Sequence, residues 1–358
     1  MTIYLLGFAI ALAASYFVTF LVEKLAVKVG AVDIPNQRKV HIEPIPRLGG
    51  LAIYVSFSLS LLVLLLIGWV DLSRLGIQLW GILMGGTFIL IFGAMDDIAG
   101  LSARVKLIGQ AIAAAILFSF GARIEFVGNP FGGLIYLGDL SVFLTLFWVI
   151  GLTNTVNLID GLDGLAAGVS SIALIILTVI AFETGRQEVA FICLILLGSL
   201  LGFLKHNFNP ARIFMGDSGS MFLGFMLASL TVQGVMKSAV AIALLVPIVI
   251  MGVPILDTAF AIFRRFRKKQ PLTQADNGHI HHRLLHRGFS QRQTVVIIYV
   301  WTTMLGAAAL ALRFAPNKVK IVVFLGLALL SFFVDRFVGL FEQSKRGLSG
   351  SKFGGIDG

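Results

Sequence analysis

The segment GIQLWGILMGGTFILIFGAMDD (76–97) is an apolar run that ends on two adjacent aspartates. About 20 apolar residues are enough to cross the hydrocarbon core of a bilayer as a helix. The segment therefore predicts a membrane-spanning helix over 76–94, with Asp96 and Asp97 at its end. Two adjacent like charges at such a place are costly unless another group compensates them.

The composition of the chain extends this interpretation to the whole protein. Of its 358 residues, 58% are hydrophobic and 13% are charged, whereas soluble domains have about 25% charged residues. The sequence predicts an all-α polytopic integral membrane protein with about eleven transmembrane helices. They lie near 3–22, 48–70, 76–94, 107–123, 140–156, 164–182, 189–204, 218–236, 239–259, 293–312 and 319–340.

The distribution of basic residues predicts the orientation. Most of the 28 lysines and arginines lie in one alternate set of connections, which the positive-inside rule places in the cytoplasm. The N-terminus is then outside and the C-terminus cytoplasmic. The same rule accounts for most of the net charge of +10, so the charge does not indicate nucleic-acid binding. One polytopic domain is expected over 1–340, and the Gly/Ser-rich tail 341–358 is expected to be disordered.

The polar residues that could take part in catalysis or bind a ligand lie on the predicted cytoplasmic face. Five carboxylates come from three connections and lie at or near helix ends, namely Asp96, Asp97, Asp160, Asp163 and Asp217. Clustered carboxylates need a positive partner, and Mg²⁺ typically takes one or two carboxylates together with substrate phosphates. Lys106, Arg212 and the basic loop 264–288 could hold an anionic substrate. The face therefore suggests a magnesium-dependent phosphate enzyme.

Other interpretations of these residues stay open. Asp96 and Asp97 could be a solvated helix end, and Asp217 could be the N-cap of the helix that follows it. Asn154, Asn157 and Asp160 could form a structural polar network. His279, His281 and His282 could bind zinc, although their spacing is unlike a helical zinc motif and the single cysteine, Cys193, lies in an apolar run. No phosphate-binding loop of the GxxxxGK[ST] type occurs, which disfavours an ATP-driven pump.

Five motifs in order resemble one known family. They are PRLGG (46–50), DD (96–97), NTVNLIDGLDGLA (154–166), NFNPARIFMGDSGS (207–220) and HIHH (279–282). Together they resemble the polyprenyl-phosphate N-acetylhexosamine-1-phosphate transferases over essentially the whole chain. The forms PIPRLGG and HIHHRLLHRG are similar to the WecA/TagO branch and differ from the related MraY sequences.

The resemblance implies a reaction, a fold and a cofactor. The fold would be an MraY-like bundle in the inner (cytoplasmic) membrane, with its active site on the cytoplasmic face. The reaction would transfer GlcNAc-1-phosphate from UDP-GlcNAc to polyprenyl phosphate, such as undecaprenyl phosphate, giving polyprenyl-diphospho-GlcNAc and UMP. Mg²⁺ would be the cofactor, with Mn²⁺ as a substitute. A homodimer is implied at the level of the family.

The resemblance also implies roles for individual residues. Asp217 would be the main magnesium ligand and Asn157 a second one, while Asp96, Asp97 and Asp160 would be catalytic. The remaining matched positions would bind substrate, namely Arg47, Lys106, Asp163, Asn207, His279, His281, His282 and Arg283.

The chemistry of the lipid phosphate constrains the mechanism. A phosphate monoester has a second pKa of about 6, so the attacking group is mostly a dianion at neutral pH and gains little from a general base. Single displacement is therefore favoured, with Asp96 or Asp97 orienting the lipid phosphate, and a covalent aspartyl-phosphate route stays open.

Three rival functions also stay open. They are a transferase for another UDP-N-acetylhexosamine, including phospho-MurNAc-pentapeptide, a transporter or lipid flippase, and a structural membrane scaffold.

Overall fold

A computed structural model describes residues 2–35, 43–69, 76–128, 134–234, 283–285 and 287–312, together with 319, 322 and 326. Within these residues the chain forms nine long helices. They are α1 (Thr2–Val29), α2 (Gly49–Leu66), α3 (Ile77–Ala99), α4 (Ala103–Ser119), α5 (Leu140–Ile159), α6 (Leu165–Glu183), α7 (Gln187–Asn207), α8 (Gly216–Gly234) and α9 (Gln291–Leu312). Two antiparallel ribbons pair β1 (Val32–Asp33) with β2 (Ile45–Pro46) and β3 (Phe126–Gly128) with β4 (Leu134–Tyr136).

The described helices agree with a polytopic membrane protein. Seven of them are long and apolar enough to cross a membrane, all except α4 and α8. Each of the nine coincides with one span predicted from the sequence. The predicted span 239–259, nearly all of 319–340 and the tail 341–358 lie outside the described residues.

Two predicted helix boundaries are wrong where the polar residues lie. Helix α3 does not end at residue 94 but continues to Ala99, so Asp96 and Asp97 belong to its last turns. Helix α4 begins at Ala103, four residues earlier than predicted, and Ser102 caps it by accepting a hydrogen bond from the N–H of Val105 at 3.4 Å. The all-α prediction also missed the two ribbons, each only two or three residues per strand.

Helices α6, α7 and α8 form the centre of the bundle. Helix α7 packs against α1 and α6, while α8 packs against α2, α3 and α5. The phenylalanines Phe203 of α7 and Phe222 and Phe225 of α8 are fully buried. Because α8 is surrounded by α2, α3 and α5, its first turn lies beside the ends of these helices.

The PRLGG segment aligns this first turn by backbone contacts. The N–H of Phe214 donates to the carbonyl of Pro46 (2.8 Å), and the N–H of Gly49 donates back to the carbonyl of Phe214 (3.0 Å). The N–H of Gly50 donates to the carbonyl of Met215 at 2.9 Å. The start of α2 and the residues before α8 are thus joined as a short parallel pairing.

Gly50 is required for the close packing of α2 on α8. A Cβ atom at residue 50 would overlap the backbone of Ser218 and Gly219, which cannot move aside as a side chain could. We expect Gly50→Ala to destabilise the fold by about 2 kcal/mol or more, the scale of overpacking in a core. The thermal midpoint of the purified protein in detergent should fall clearly.

Gly151→Ala provides the matched control. Gly151 also lies within a helix, α5, but a Cβ there would meet nothing within 4 Å. We expect the midpoint of this variant to stay at the wild-type value or rise slightly, because alanine favours helix more than glycine does. Equal midpoints for the two variants would contradict the packing argument.

Candidate active site

The first turn of α8 is held by the side chain of Asp97 from α3. Its Oδ1 accepts a hydrogen bond from the N–H of Asp217 (2.8 Å), and its Oδ2 accepts one from the N–H of Ser218 (3.0 Å). The first N–H groups of a helix have no partner within the helix, and the helix dipole is positive there. Asp97, which is 2% exposed, therefore acts as the cap of α8. The interpretation of Asp217 as that N-cap is wrong, since α8 already begins at Gly216.

Two glycines let α3 and α8 approach closely enough for this cap. A Cβ on Gly93 would come within 2.6 Å of the carbonyl oxygen of Asp217, and one on Gly216 within 2.5 Å of Oδ2 of Asp97. Gly216 also has a φ of +72°, a backbone conformation that other residues rarely adopt.

Lys106 lies between two carboxylates. Its ammonium group contacts the carboxylate of Asp96 and donates to Oδ2 of Asp217 at 2.7 Å. Oδ1 of Asp96 accepts a hydrogen bond from the N–H of Leu101 (2.5 Å), just beyond the end of α3. Helices α3, α4 and α8 are thus linked by one cation and two anions.

Asn157 completes the surroundings of Asp217. Its side-chain amide donates to Oδ1 of Asp217 and to the hydroxyl of Ser220 (2.8 Å). Both carboxylate oxygens of Asp217 are therefore covered by donors, one from an ammonium group and one from an amide. Rotating the Asn157 amide by 180° would bring its oxygen beside Asp217, where the two side chains could share a cation.

Asp217 and Asn157 open onto a cavity of about 930 Å³. Its lining is rich in carboxylates from helix ends and the loops between them, namely Glu23, Asp33, Glu43, Asp97, Asp160, Asp163 and Asp217. The described cations of the lining are Arg47 and Arg212. Such a cavity can take an anionic substrate only with additional positive charge.

Asp160 shows the effect of this excess of negative charge. It follows the last residue of α5 and lines the cavity. Removal from bulk water, followed by repulsion from Asp217, Asp97 and Asp163, raises the pKa of its carboxyl well above the usual range. A bound cation would oppose all three repulsions.

Another wall of the cavity is formed by Asp163 and the α7–α8 connection. Oδ2 of Asp163 accepts hydrogen bonds from the side-chain amide of Asn209 (2.9 Å) and from the N–H of Ala211 (3.0 Å). The Asn209 amide also donates to Oε1 of Gln291 at the start of α9 (2.8 Å). Three parts of the chain therefore meet at this wall.

Comparisons with known proteins identify the family of this site. A family model described as glycosyl transferase family 4 matches residues 79–235. A probable undecaprenyl-phosphate N-acetylglucosaminyl 1-phosphate transferase of Bacillus subtilis is 38% identical over 94% of this chain and 92% of its own length. The chain belongs to the polyprenyl-phosphate N-acetylhexosamine-1-phosphate transferases. The resemblance inferred from the five motifs is confirmed.

Two further members of this transferase family show how far the similarity extends. A decaprenyl-phosphate N-acetylglucosaminephosphotransferase of Mycolicibacterium smegmatis is 37% identical over 93% of this chain and 87% of its own length. An undecaprenyl-phosphate alpha-N-acetylglucosaminyl 1-phosphate transferase of Yersinia pestis is 28% identical over 93% of both chains.

Most of the site residues expected for a member of this family lie close together. Asp97, Asn157, Asp160, Asp163 and Asp217 line the one cavity. Asp96 contacts Lys106, and Lys106 contacts Asp217. Neither Asp96 nor Lys106 is among the described residues that line the cavity. Their roles in catalysis and metal binding stay predictions.

Arg47 and Asn207 also line the cavity, but both hold the protein's own backbone. Nε and Nη2 of Arg47 donate to the carbonyl of Asp97 (3.0 and 2.7 Å). Asn207 is 3% exposed, accepts from the N–H of Gly164 (3.0 Å) and donates to the carbonyl of Ile213 (2.9 Å). Both contacts position the loops around Asp217 and Asp163, and substrate binding by these side chains stays a prediction.

The basic loop is described only at its end. His279, His281 and His282 lie outside the described residues. Arg283 begins a short helical turn, is half-buried and is not among the described residues that line the cavity. Within the described residues, no group of three His, Cys, Asp or Glu side chains is placed to hold a metal ion. Metal binding would therefore need amide or substrate oxygens as well.

Sequence analysis missed Gln110, whose amide pairs with that of Asn154. Gln110 donates to Oδ1 of Asn154 (3.3 Å) and accepts from its Nδ2 (2.6 Å). Gln110 is one helical turn from Lys106, and Asn154 is three residues before Asn157. The amide pair therefore fixes α4 on α5 next to both partners of Asp217. Asn154 was named from the sequence as part of a possible structural polar network, but nothing in the sequence indicated Gln110.

Breaking the amide pair should impair catalysis more than substrate binding. Gln110→Leu or Asn154→Leu leaves a buried amide without its partner, which costs about 1–3 kcal/mol, and lets Lys106 shift relative to Asn157. We expect kcat for the transfer that the resemblance implies to fall about tenfold in each variant, with a smaller change in KM.

A double-mutant cycle supplies the control. Because the two residues serve one contact, the double variant Gln110→Leu/Asn154→Leu should be no more impaired than either single variant. Rate losses that multiply would show that the residues act independently, and the positioning role would be wrong.

Proposed function

We propose that this protein transfers GlcNAc-1-phosphate from UDP-GlcNAc to polyprenyl phosphate, forming polyprenyl-diphospho-GlcNAc and UMP. The observation that carries the proposal is the carboxylate cavity at Asp217, in a chain similar over nearly its full length to relatives named for this transfer. A cavity among helix ends is suited to a reaction between a water-soluble nucleotide sugar and a lipid phosphate.

The proposal includes a magnesium ion held by Asp217 and Asn157, with Mn²⁺ as a substitute. The donor set supports it, because a carboxylate and an amide oxygen are hard ligands and Mg²⁺ commonly takes its other ligands from phosphates and water. Bound there, the ion would neutralise charge on the diphosphate. It would also offset the repulsion that Asp160 experiences from its neighbours.

The residues of the chain then act chiefly by positioning and charge. Lys106 can donate to a phosphate oxygen once Asp217 binds the cation, and Asp163 would bind the nucleoside. An oxygen of the lipid phosphate attacks the sugar-side phosphorus, the bond between the two phosphates breaks, and UMP leaves with its electron pair. Because the lipid phosphate is already a dianion, the step needs no strong base.

The contacts of the aspartate pair suggest different roles for its two members. Each oxygen of Asp97 accepts a backbone N–H of α8, so Asp97 would act by holding Asp217 in place. Asp96 would set the position of Lys106. Asp160 faces the cavity and would contact the substrate or the hydrated cation. These assignments favour single displacement, because a carboxylate that holds a helix is a poor covalent nucleophile.

The rivals are less well supported. Relatives named for N-acetylglucosamine favour that sugar over another N-acetylhexosamine or phospho-MurNAc-pentapeptide. A transporter or flippase would be expected to carry ionisable residues near the middle of its spans, whereas these carboxylates lie at or beyond helix ends. A structural scaffold gives no reason for a carboxylate-lined cavity.

The finer topology also belongs to the proposal. We propose about eleven spans within one domain over 1–340 in the inner membrane, with the N-terminus outside and the cavity and the tail 341–358 on the cytoplasmic side. The excess of lysines and arginines in the connections on this side supports this orientation. The prenyl chain would approach between helices from the lipid side. A homodimer is proposed from the resemblance alone.

The direct test supplies the purified protein with UDP-GlcNAc, undecaprenyl phosphate and Mg²⁺ and follows UMP release. Asp217→Asn should lower the rate more than tenfold, because the loss of metal-borne charge stabilisation is worth several kcal/mol. Asp139→Asn is the matched control, since Asp139 is exposed beside α5 and away from the cavity. It should retain the wild-type rate.

Two outcomes would contradict the proposal. If the wild-type protein released no UMP with any UDP-N-acetylhexosamine, the transferase function would be wrong. If Asp217→Asn matched Asp139→Asn, the assignment of the metal to Asp217 would be wrong while the function could stand.

Orientation can be tested by labelling single cysteines in intact cells. In a Cys193→Ala background, Ala103→Cys lies at the start of α4 and Asp139→Cys before α5, and both positions are exposed. A membrane-impermeant maleimide should label the cysteine at residue 139 in intact cells. It should label the cysteine at residue 103 only after the membrane has been permeabilised. The reverse pattern would invert the proposed topology.

A further inference from the structure

The side-chain amides of Asn209 and Gln291 are hydrogen-bonded to each other and have no role in the reaction proposed above. The Nδ2 group of Asn209 donates one hydrogen to Oδ2 of Asp163 (2.9 Å) and one to Oε1 of Gln291 (2.8 Å). Gln291 is the first residue of α9, is half-buried and lines the cavity. It therefore presents a polar group to any ligand that reaches this wall.

The carboxylate of Asp163 fixes the direction of these two hydrogen bonds, and with it the orientation of both side-chain amides. A carboxylate can only accept hydrogen bonds, so Asn209 must turn its NH₂ group toward Asp163. Since the second hydrogen of that NH₂ group goes to Gln291, Gln291 must turn its oxygen toward Asn209. Its own NH₂ group is then a donor on the side of the cavity. Unlike most glutamines, Gln291 cannot rotate its amide to suit either a donor or an acceptor.

Further contacts hold Gln291 in this place. The Nε atom of Arg292 donates to the backbone carbonyl of Asn209 (3.0 Å), and the hydroxyl of Tyr299 donates to the carbonyl of Gly164. Helix α9 is thereby fixed to both loops that form the wall. The side chains of Gln291 and Asp163 stay side by side, because Oε1 of Gln291 and Oδ2 of Asp163 both accept hydrogen bonds from Nδ2 of Asn209.

Two groups of residues in the cavity suit the two parts of a nucleoside diphosphate. In the proposed function the diphosphate lies beside Asp217 and Asn157, where a cation would meet it and where Lys106 is bonded to Asp217. The other wall combines Asp163 and Gln291 with the apolar residues Leu162 and Pro210. A flat heterocycle needs apolar contact on its faces and fixed polar partners on its edge.

We propose that Gln291 selects the nucleobase of the substrate, an inference that rests on the proposed function. In this proposal Nε2 of Gln291 donates to the C4 carbonyl of uracil, and Oδ1 of Asp163 accepts a hydrogen bond from N3–H. Asn209 and Ala211 both donate to the other oxygen of Asp163, Oδ2. Cytosine has the opposite pattern, an amino group at C4 and a lone pair at N3. It would place donor against donor and acceptor against acceptor, which a site built on hydrogen bonds rejects strongly.

Inhibition of the transfer reaction by UMP and by CMP tests this selection without a second sugar nucleotide. For the wild-type protein, UMP should inhibit at concentrations about 100-fold or more below those of CMP. Gln291→Leu should weaken inhibition by UMP about tenfold or more, because the contact with uracil is lost. Inhibition by CMP should not weaken, because the variant also removes the donor that opposes the amino group of cytosine. KM for UDP-GlcNAc should rise while kcat stays within about threefold, since the contacts of Asp217 are untouched.

Two companion variants serve as controls for size and for the general effect of Gln→Leu. Gln291→Glu keeps the size but replaces the donor with an acceptor, so it should lose at least as much preference for UMP as Gln291→Leu. Gln187→Leu makes the same change at the exposed first residue of α7, outside the lining of the cavity. It should keep the wild-type preference and the wild-type KM.

The variant Asn209→Asp tests whether Asn209 fixes the orientation of the Gln291 amide. The new carboxylate can only accept, so Gln291 would turn its NH₂ group toward residue 209 and its oxygen toward the cavity. The preference for UMP should fall, and adding Gln291→Leu should then change it little. A preference that persists in Asn209→Asp would overturn the polarity argument.

The failure of this inference is distinguishable from failure of the proposed function. If Gln291→Leu and Gln187→Leu both released UMP and kept the same UMP-to-CMP ratio as the wild type, base selection by Gln291 would be wrong and the transferase function would stand. If the wild-type protein released no UMP at all, the proposed function would fail, and this inference with it.

Discussion

The hydrogen bonds from the first two N–H groups of α8 to the Asp97 carboxylate are the contact on which the rest of the site depends. They fix the start of α8 against the end of α3, and so they fix the position of Asp217. A carboxylate buried to 2% exposure at the end of an apolar helix is costly unless it is well bonded. Here its bonds and the positive end of the α8 dipole compensate that cost. The PRLGG segment holds the same turn from the other side through Gly49 and Gly50.

Asp217 in turn brings together polar and charged side chains from three other helices. Lys106 reaches it from α4, Asn157 from α5 and, through Lys106, Asp96 from α3. Within the described lining of the cavity, carboxylates outnumber arginines, so a diphosphate could bind there only together with an additional cation. One arrangement thus explains why so many acidic residues can surround a cavity proposed to bind a diphosphate.

The sequence predicted the parts of this arrangement that depend on unusual positions. Carboxylates beside apolar runs, such as Asp96, Asp97 and Asp217, are conspicuous, and the positions of the described helices follow from hydrophobic length. The end of α3 was missed because the partners of Asp97 lie 120 and 121 residues away along the chain. Gln110, Asn209 and Gln291 were missed because a single amide in a loop or helix has many ordinary roles. Only the packing shows which amide faces which.

Binding of Mn²⁺ to the purified protein, followed by electron paramagnetic resonance without any nucleotide, tests the central claim most directly. If Asp97 holds Asp217 so that Asp217 and Asn157 can bind a divalent cation, the wild-type protein should show one saturable Mn²⁺ site that Mg²⁺ displaces. The site should be lost in Asp217→Asn and kept in Asp139→Asn. Saturable binding of equal affinity in both variants would contradict the account.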